Sequence, residues 1–370
     1  MRLLIAGGGT GGHLFPGIAV AEEFLARQKG NEVLFVGTWK GIEARVLPKL
    51  GYSLECITAS GIRGKGSLAR AKGMAMLLYG YAQSRKILKE FQPDMVLGVG
   101  GYASAPALLA ARGMQIPRFI HEQNAIPGFT NKMLATVADQ VFISLEESRK
   151  FFPEERTLLT GNPLRRQILD QVAAPEGNDR QDDAFHLLVF GGSAGAHRIN
   201  LTMAEALPYL DEVKGRMTIT HQTGENDLED VTAAYEEHGF QADAVPFIDS
   251  MADAYRWADL IVCRAGATTI AEVTACGKPC IFIPYPHAVD DHQRRNAEAL
   301  LKCAAGFMII EKELSGELLA RTIRELMDDT ARLRAAGEAA KGLARLDAAQ
   351  VIVDEMMKEK TTKKAQCTEK

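Results

Sequence analysis

The sequence of 370 residues contains no uncharged apolar run long enough to cross a bilayer, which takes about 20 residues of helix. The apolar N-terminal run, residues 2–6, ends at a glycine and is too short to be the hydrophobic core of a signal peptide. We therefore expect neither a membrane-spanning segment nor a secretory leader.

Paired cysteines and an excess of positive charge are also missing. None of the cysteines has the short paired spacing of a zinc or redox site, so we interpret all of them as reduced core residues of a cytoplasmic protein. The six are Cys56, Cys263, Cys276, Cys280, Cys303 and Cys367. The net charge of −4 argues against nucleic-acid binding, which needs a broad basic surface.

What the sequence does contain is typical of a globular protein with more than one domain. Its residues are 46% hydrophobic and 24% charged, and its 34 glycines gather in short clusters. At a typical size of roughly 150 residues per domain, the length predicts two domains.

The first half alternates short apolar runs with helical patterns. Strands are predicted at residues 2–6 and 32–37, and helices at 16–29 and 41–50. This βαβα order predicts a parallel sheet covered on both faces. Further strands are predicted at residues 95–99, 118–121 and 140–144.

The opening pattern returns after a polar stretch at residues 170–184, which we interpret as a linker. An apolar run at 186–190 leads into a second glycine-rich turn, just as residues 2–6 lead into the first. Two similarly wound α/β domains follow from this repeat, with parallel sheets facing a common cleft. Residues 315–358 have a helical pattern, and residues 358–370 are predicted to fray.

Glycine-rich turns that lead into a helix present backbone N–H groups at the positive end of the helix dipole, an arrangement that suits a diphosphate. Residues 7–12 and 191–196 have this form, and residues 263–272 form a third candidate after an apolar strand. In the third, Glu272 lies where a carboxylate can accept both hydroxyls of a ribose. The alternatives stay open: a turn without ligand for the loops, and an ordinary acid near a helix start for Glu272.

One window of the chain has cations and no acidic residue. It runs from residue 56 to residue 89, with leucines, methionines and tyrosines between the cations. This pattern favours an amphipathic segment, about residues 62–89, on an anionic membrane surface; the alternative is a core-facing helix with a solvated basic face. The seven cations are Arg63, Lys65, Arg70, Lys72, Arg85, Lys86 and Lys89.

Eight short motifs, in order along the chain, resemble the MurG family. They lie at residues 6–13, 60–65, 98–102, 121–124, 161–165, 191–196, 247–249 and 264–272. The family transfers N-acetylglucosamine (GlcNAc) from UDP-GlcNAc to undecaprenyl-pyrophosphoryl-N-acetylmuramoyl-pentapeptide, converting lipid I to lipid II in peptidoglycan synthesis. The resemblance implies this donor and acceptor, no cofactor, and a peripheral location at the cytoplasmic face of the bacterial inner membrane.

The resemblance also implies a GT-B fold, two Rossmann-like domains around a cleft. The domains would be an acceptor domain at residues 1–160 and a UDP-sugar domain at 161–340, with residues 341–370 returning to the first. Donor contacts are implied for Arg165, Ser193, Ile248, Ala267, Thr268, Thr269, Ile270, Ala271, Glu272 and Gln293. Arg165 and Ser193 would face the diphosphate, and Ile248 would meet the uracil through its backbone. Family members often carry two consecutive glutamines where this chain has His292 and Gln293.

From the first domain, Thr10, Gly11, Gly12, His13 and Asn124 would close over the sugar and the acceptor. The sequence shows no acidic pair after a strand, so we expect helix dipoles and Arg165, not a metal ion, to stabilise the leaving diphosphate. His13 is the leading candidate for the general base and Glu122 the second; alternatively, His13 only donates a hydrogen bond.

Two other functions fit the same architecture. A UDP-GlcNAc 2-epimerase would bind this donor without a lipid acceptor, and a non-catalytic nucleotide-sugar sensor would bind it without turnover. An NAD oxidoreductase fits poorly, because residues 37–40 offer no acidic residue at the end of the second strand.

Overall fold

A computed structural model describes residues 1–59, 67–174, 183–192 and 195–368. Within these ranges the side chains of residues 67–72, 289 and 360–368 are not described. The chain divides into two compact units: unit 1 combines Met1–Arg166 with Arg345–Lys370, and unit 2 is Gln167–Ala344.

Each unit contains one parallel β-sheet. The strands of unit 1 are β1 (Arg2–Ala6), β2 (Glu32–Gly37), β3 (Ser53–Cys56), β4 (Met95–Gly98), β5 (Arg118–Glu122), β6 (Gln140–Ile143) and β7 (Thr157–Leu159). Those of unit 2 are β8 (Phe185–Phe190), β9 (Met217–Gln222), β10 (Gln241–Val245), β11 (Leu260–Cys263), β12 (Cys280–Phe282) and β13 (Phe307–Met308).

Helices connect the strands and cover the sheets. They are α1 (Gly11–Arg27), α2 (Glu43–Lys49), α3 (Ser67–Phe91), α4 (Ser104–Gly113), α5 (Phe129–Leu134), α6 (Arg166–Ala173), α7 (His197–Leu210), α8 (Leu228–His238), α9 (Met251–Trp257), α10 (Ala267–Ala275), α11 (His292–Leu301), α12 (Gly316–Asp328), α13 (Thr330–Leu343) and α14 (Ala348–Thr368). Short 3₁₀ helices lie at Glu146–Phe151, Glu154–Arg156, Asp211–Arg216 and Val289–Asp291.

The strand order is β3-β2-β1-β4-β5-β6-β7 in unit 1 and β10-β9-β8-β11-β12-β13 in unit 2. In both sheets the chain starts in the middle, winds to one edge and then crosses to the other side, which confirms the predicted pair of Rossmann-like domains. The winding direction changes between β1 and β4, and again between β8 and β11. Ligands of such sheets bind beyond the carboxyl ends of the strands at these two points.

The core of unit 1 lies on both faces of its sheet, because alternate side chains of a strand point in opposite directions. Leu4 of β1 faces the cluster that includes α4, whereas Leu3 and Ile5 face the cluster that includes α1. The second cluster also contains buried side chains of α14, which therefore belongs to unit 1. That helix continues past Lys358, where the sequence predicts fraying, to Thr368.

Helix α1 begins at Gly11, five positions earlier than the predicted start at residue 16. Glycine disfavours helix, so the sequence pattern places the start at the first apolar repeat instead. The five cysteines whose side chains are described, Cys56, Cys263, Cys276, Cys280 and Cys303, form no disulfide, and Cys263 and Cys280 are buried. The prediction that all cysteines are core residues was wrong for Cys303, which is exposed.

Candidate active site

The first glycine-rich loop connects β1 to α1 at the point where the winding of the first sheet reverses. Gly8 and Gly9 have φ values of +137° and +87°, which side-chain-bearing residues rarely adopt. Thr10 is the N-cap residue of α1, and its side chain makes no capping hydrogen bond. The N–H groups of Gly11 and Gly12 therefore begin the helix without a side-chain cap, as an anion-binding helix start requires.

His13 lies in the first turn of α1 and folds back over this loop. Its Nδ1 is 3.1 Å from the carbonyl oxygen of Gly8 and 3.4 Å from Oγ1 of Thr10. Because a carbonyl oxygen only accepts hydrogen bonds, Nδ1 carries the proton of the neutral ring and Nε2 is its basic nitrogen. This is the tautomer that a general base acting through Nε2 requires.

A second glycine-rich loop, after β4, packs against the first. A Cβ on Gly101 would overlap the carbonyl oxygen of Gly8, and a Cβ on Gly100 would lie 2.8 Å from Cδ2 of His13. The hydroxyl of Ser104, fully buried, lies 2.7 Å from the carbonyl oxygen of Ala6 and accepts from the N–H of Gly100 at 3.1 Å. The two loops thus fix the position of the His13 ring.

Glu122, at the end of β5, organises the turn that follows it. Its Oε1 accepts from the backbone and side-chain nitrogens of Asn124 at 2.9 and 3.2 Å. Its Oε2 accepts from the N–H of Gly128 at 3.1 Å and from Nδ2 of Asn131 at 2.9 Å. With four hydrogen bonds and 1% exposure, this carboxyl positions Asn124 and is poorly placed to take a proton from a substrate.

Arg165 lies in unit 1, close to its boundary with unit 2. Its guanidinium carbon is 4.9 Å from the ring centroid of Phe15, one turn or less along α1 from His13. A cation held over an aromatic face keeps its charge and loses side-chain freedom. The residue expected to meet the diphosphate therefore stands beside the helix that carries His13.

In unit 2 the glycine-rich loop after β8 is held by Gln222, at the end of β9. Gln222 donates from Nε2 to the carbonyl oxygen of Gly192 at 2.7 Å and accepts at Oε1 from the N–H of Ile248 at 2.8 Å. Because the N–H of Ile248 is already bonded, a backbone contact from Ile248 to a base would use its carbonyl oxygen. Gly195 has a φ of +76°, and a Cβ there would overlap the carbonyl oxygen of Thr223. Ser193 lies outside the described residues.

The third predicted phosphate site is the start of α10, where the winding of the second sheet reverses. Gly266 is the N-cap, without a side-chain cap, so the N–H groups of the first turn are available to an anion. In that turn the buried Oγ1 of Thr268 has no hydrogen-bond partner among the described residues. The segment predicted to supply these N–H groups is Ala267, Thr268, Thr269, Ile270 and Ala271.

Glu272 lies in the second turn of α10 and is only 3% exposed. Its Oε2 accepts a hydrogen bond from the hydroxyl of Tyr255 at 3.0 Å. Tyr255 is itself fully buried in the core of unit 2, so it fixes the direction of the Glu272 carboxyl. A carboxylate oriented in this way can accept hydroxyl hydrogens without first being ordered.

Gln293 lies in the first turn of α11, and its Oε1 accepts from the N–H of Tyr285 at 3.0 Å. Asp290 and Asp291, just before this helix, both have left-handed φ values, +53° and +54°. Two consecutive strained residues persist only where the surrounding structure holds them. Gln293 and its neighbour His292 are therefore presented by a tightly constrained turn.

A chain of polar side chains connects the start of α7 to the core of unit 2. Nδ1 of His197 lies 2.8 Å from Oδ1 of Asp227, whose Oδ2 accepts from Nδ2 of Asn200 at 2.7 Å. Oδ1 of Asn200 is 3.1 Å from Nε2 of His221, and Nδ1 of His221 is 2.9 Å from the hydroxyl of Tyr235. Burial raises the pKa of Asp227, but the hydrogen bonds from Asn200 and His197 outweigh it and leave that pKa below its usual value.

Two fully buried histidines make folding sensitive to acid. Burial lowers the pKa of His121 from 6.5 to about 4 and that of His221 from 6.5 to about 3. Below pH 6.5 the unfolded chain binds protons that the folded chain does not, so stability is lost as the pH falls from 6.5 towards 4. We expect the free energy of unfolding to decrease by about 1.4 kcal/mol per pH unit for each histidine.

Urea unfolding at a series of pH values measures this effect, and a His221→Gln variant isolates one contribution. The variant is expected to have a shallower dependence on pH between 6.5 and 4 than the parent protein. Equal slopes for the two proteins would contradict a neutral buried His221.

Three residues that hold the loops in place were not predicted from the sequence: Glu43, Ser104 and Gln222. Each is buried. Glu43 and Gln222 bond to glycine-rich loops far away in sequence, at Gly9 and Gly192, whereas Ser104 bonds to Gly100 in its own loop and to Ala6 at the end of β1. The available signal was weak, a single polar residue at a strand end or a helix start. Among the described residues, no group of three or more histidine, cysteine or acidic side chains is arranged to hold a metal ion.

The exposed face of helix α3 is apolar in its first half and cationic further along. Met74, Leu78 and Tyr79 are 51%, 64% and 59% exposed, and Arg85 and Lys86 are exposed further along the helix. The opposite face packs on the core of unit 1. The cations Arg63 and Lys65 lie outside the described residues, as do the side chains of Arg70 and Lys72. Throughout the described ranges, every helix is too short or too polar to cross a bilayer.

Comparison with known proteins gives matches along nearly the whole chain. Two family models match: the glycosyltransferase family 28 N-terminal domain over residues 3–143 and its C-terminal domain over residues 186–352. A relative from Geobacter metallireducens, the UDP-N-acetylglucosamine--N-acetylmuramyl-(pentapeptide) pyrophosphoryl-undecaprenol N-acetylglucosamine transferase, is 84% identical. The aligned region covers 98% of this chain and 100% of the relative.

Solved structures agree on the architecture. The crystal structure of Acinetobacter baumannii MurG matches with a TM-score of 0.78 and 32% identity, covering 96% of this chain and 99% of that one. A UDP-GlcNAc 2-epimerase from Neisseria meningitidis matches with a TM-score of 0.69 over 97% of this chain and 100% of that one. At 14% identity, this match shows a similar fold and nothing more.

Proposed function

This chain belongs to the MurG family, within glycosyltransferase family 28, and on that premise we propose that it converts lipid I to lipid II. The reaction transfers GlcNAc from UDP-GlcNAc to the C4 hydroxyl of N-acetylmuramic acid in undecaprenyl-pyrophosphoryl-N-acetylmuramoyl-pentapeptide. The observation that carries the proposal is the near-complete match to a curated lipid I glycosyltransferase, which extends through both units.

We assign most of the donor contacts to unit 2. The loop after β8 and the uncapped start of α10 supply N–H groups for the diphosphate, and their glycines allow the close approach that this needs. Glu272, oriented by Tyr255, accepts the ribose hydroxyls. The carbonyl oxygen of Ile248 meets the uracil, and Gln293 contacts the sugar hydroxyls. Ser193 and Arg165 remain our candidates for further diphosphate contacts.

We assign the acceptor and the base to unit 1. The N–H groups of Gly11 and Gly12 attract the negative charge of an acceptor phosphate, and Thr10 and Asn124 are our candidates for further acceptor contacts. Nε2 of His13 is the base, because the contact of Nδ1 with Gly8 leaves Nε2 as the basic nitrogen. Glu122 is a positioning residue, since its carboxyl already accepts four hydrogen bonds.

The chemistry then proceeds by direct displacement with inversion. The C4 oxygen of the acceptor attacks the anomeric carbon as its proton passes to Nε2 of His13. The bond between the anomeric carbon and the phosphate oxygen breaks, and its electron pair leaves with UDP. Helix starts and Arg165 stabilise the charge that develops on the diphosphate.

The proposal is tested by following UDP release from UDP-GlcNAc with purified protein and a lipid I analogue. UDP is expected only when the acceptor is present, in equal amount with the disaccharide product. Formation of the C2-epimerised UDP-sugar without acceptor would instead favour the 2-epimerase. Binding of UDP-GlcNAc without any turnover would favour a sensor.

We further propose that the enzyme acts as a peripheral protein at the cytoplasmic face of the inner membrane, with α3 as its contact surface. Three exposed apolar side chains, Met74, Leu78 and Tyr79, can enter the interfacial region of a bilayer. Arg85 and Lys86, on the same exposed face, attract anionic headgroups, worth about 1 kcal/mol for each cation.

Vesicle flotation measures this contact. The double substitution Arg85→Glu and Lys86→Glu is expected to abolish most binding to vesicles with anionic lipid, a loss of about tenfold or more, because each attraction becomes a repulsion. Raising the salt concentration is expected to weaken binding of the parent protein. The control reverses Lys312 and Arg321, two exposed cations of unit 2. Equal losses in both double variants would show that α3 has no special role.

A further inference from the structure

Glu43, the first residue of α2, is a buried acid beneath the first glycine-rich loop and has 1% exposure. Three glycines make room for it: a Cβ on Gly8, Gly37 or Gly41 would overlap its side chain. Burying a carboxyl is costly unless it is well hydrogen-bonded. A carboxyl in such a position therefore needs a specific set of partners.

Those partners are all hydrogen-bond donors. Oε2 of Glu43 accepts from the N–H of Gly9 at 2.7 Å. Oε1 accepts from the N–H and the Oγ1 hydroxyl of Thr38 at 2.9 and 3.0 Å. The ionised carboxylate suits three donors, because it has only acceptor sites. Its negative charge thus lies directly against the loop that precedes α1.

The Gly9 contact leads to His13. The N–H of Gly9 and the C=O of Gly8 belong to one peptide group. Its N–H end donates to Glu43 at 2.7 Å, and its C=O end accepts from Nδ1 of His13 at 3.1 Å. A negative acceptor at one end of a peptide group polarises it and strengthens the hydrogen bond at the other end.

We propose that Glu43 acts on His13 through the peptide group joining Gly8 and Gly9, fixing the proton on Nδ1 and raising the basicity of Nε2. The inference deepens the function proposed above and rests on it. Glu43 is a positioning residue, because it contacts neither substrate nor the reacting atoms. In metal sites, a carboxylate that hydrogen-bonds directly to a histidine fixes its tautomer and raises its basicity in the same way. Loss of that carboxylate lowers metal affinity or activity roughly 10- to 100-fold.

Other charged groups near His13 do not replace this effect. His121, which interacts electrostatically with His13, is neutral because burial lowers its pKa to about 4. The first turn of α1 contains no acidic residue, and Arg165, over Phe15, is a cation. Glu122 directs both of its oxygens to the turn after β5. Glu43, in contrast, is an acid connected to Nδ1 of His13 through the peptide group of Gly8 and Gly9.

The first experiment measures no enzyme activity and leaves Glu43 unchanged. In the full-length protein with ¹⁵N-labelled histidine, the nitrogen signals of His13 report which ring nitrogen carries the proton. They are assigned by their loss in a His13→Gln variant. The proposal expects the proton on Nδ1 at neutral pH. A proton on Nε2 would overturn it, even if lipid I is a substrate.

The second experiment compares Glu43→Gln with Glu55→Gln, an exposed acid of β3 in the same unit. The unprotonated His13 is the active form, so a less basic ring shifts the rising limb of the kcat–pH profile to lower pH. We expect this shift in Glu43→Gln, with kcat lowered roughly 10- to 100-fold and the KM for UDP-GlcNAc unchanged. The Glu55→Gln profile should match that of the parent.

A Glu43 that only held the loop in shape would give a different result. Activity would fall while the rising limb of the profile and the titration of the His13 nitrogens stayed in place, and that outcome refutes the proposal. If Glu43→Gln does not fold, Glu43→Asp, which keeps the negative charge, is measured in its place. The position of the His13 proton in the parent protein then still tests the proposal. Failure of the parent to use lipid I refutes the proposed function and leaves the nitrogen measurement valid.

Discussion

Replacing His13 with alanine is expected to lower kcat by a factor of about 10² to 10⁴, the usual contribution of a general base. The KM for UDP-GlcNAc should change little, because we assign most of the donor contacts to unit 2. Steady-state UDP release at saturating acceptor measures the first effect, and variation of the donor concentration measures the second. The geometry supports the prediction, since the ring is held by the loops after β1 and β4 and presents Nε2 as its basic nitrogen.

The control for this substitution is His238→Ala. His238 lies in the last turn of α8, in unit 2, and takes no part in the proposed chemistry. Its replacement should leave both constants at the parent values. A His13→Ala enzyme with parental kcat would remove His13 from the mechanism and make Glu122, the second candidate, the next residue to test.

The second large effect is expected for Gly195→Ala in the loop after β8. An alanine at a φ of +76° is strained by about 1–3 kcal/mol, and its Cβ would also overlap the carbonyl oxygen of Thr223. The loop must move to relieve this overlap, which disrupts the N–H groups that we assign to the diphosphate. We expect the affinity for UDP, measured by calorimetry, to fall at least about tenfold, equivalent to about 1.4 kcal/mol.

Gly239→Ala separates strain from overlap. Gly239 has a similar φ of +68°, at the end of α8, and a Cβ there would meet no atom within 4 Å. Both variants should lose thermal stability from backbone strain, but only Gly195→Ala should lose UDP affinity. Parental affinity in a folded Gly195→Ala protein would show that this loop does not hold the diphosphate.

The sequence predicts the fold well where the signal is local. Strands β1 and β2 have the predicted bounds, because an apolar run flanked by glycine or a charge marks both ends. The start of α1 was placed too late, since Gly11 and Gly12 are poor helix formers whose place in the helix is decided by the loop before it. Their N–H groups make this early start important for the site.

The supporting contacts of the site could not be predicted, because they join residues far apart in sequence. Gly9 and Glu43 are 34 positions apart, and Gln222 and Ile248 are 26 apart. A glycine-rich turn shows that a backbone must approach something closely, and it does not show what lies beneath it. The motif thus pointed to His13, whereas the relation of His13 to Glu43 required the structure.

The last helix has a consequence for synthesis on the ribosome. Ile352, Val353 and Met356 of α14 are fully buried in the cluster that α1 shares, and Asp354 pairs with Arg27 of α1 at 3.0 Å. The ribosome therefore synthesises the whole of unit 2 before α14, the helix that completes the core of unit 1. In a chain that ends before α14, the apolar side chains of α1 that α14 covers would be exposed to solvent. Because exposed apolar surface promotes aggregation, we expect such truncated products to depend on chaperones until they are degraded.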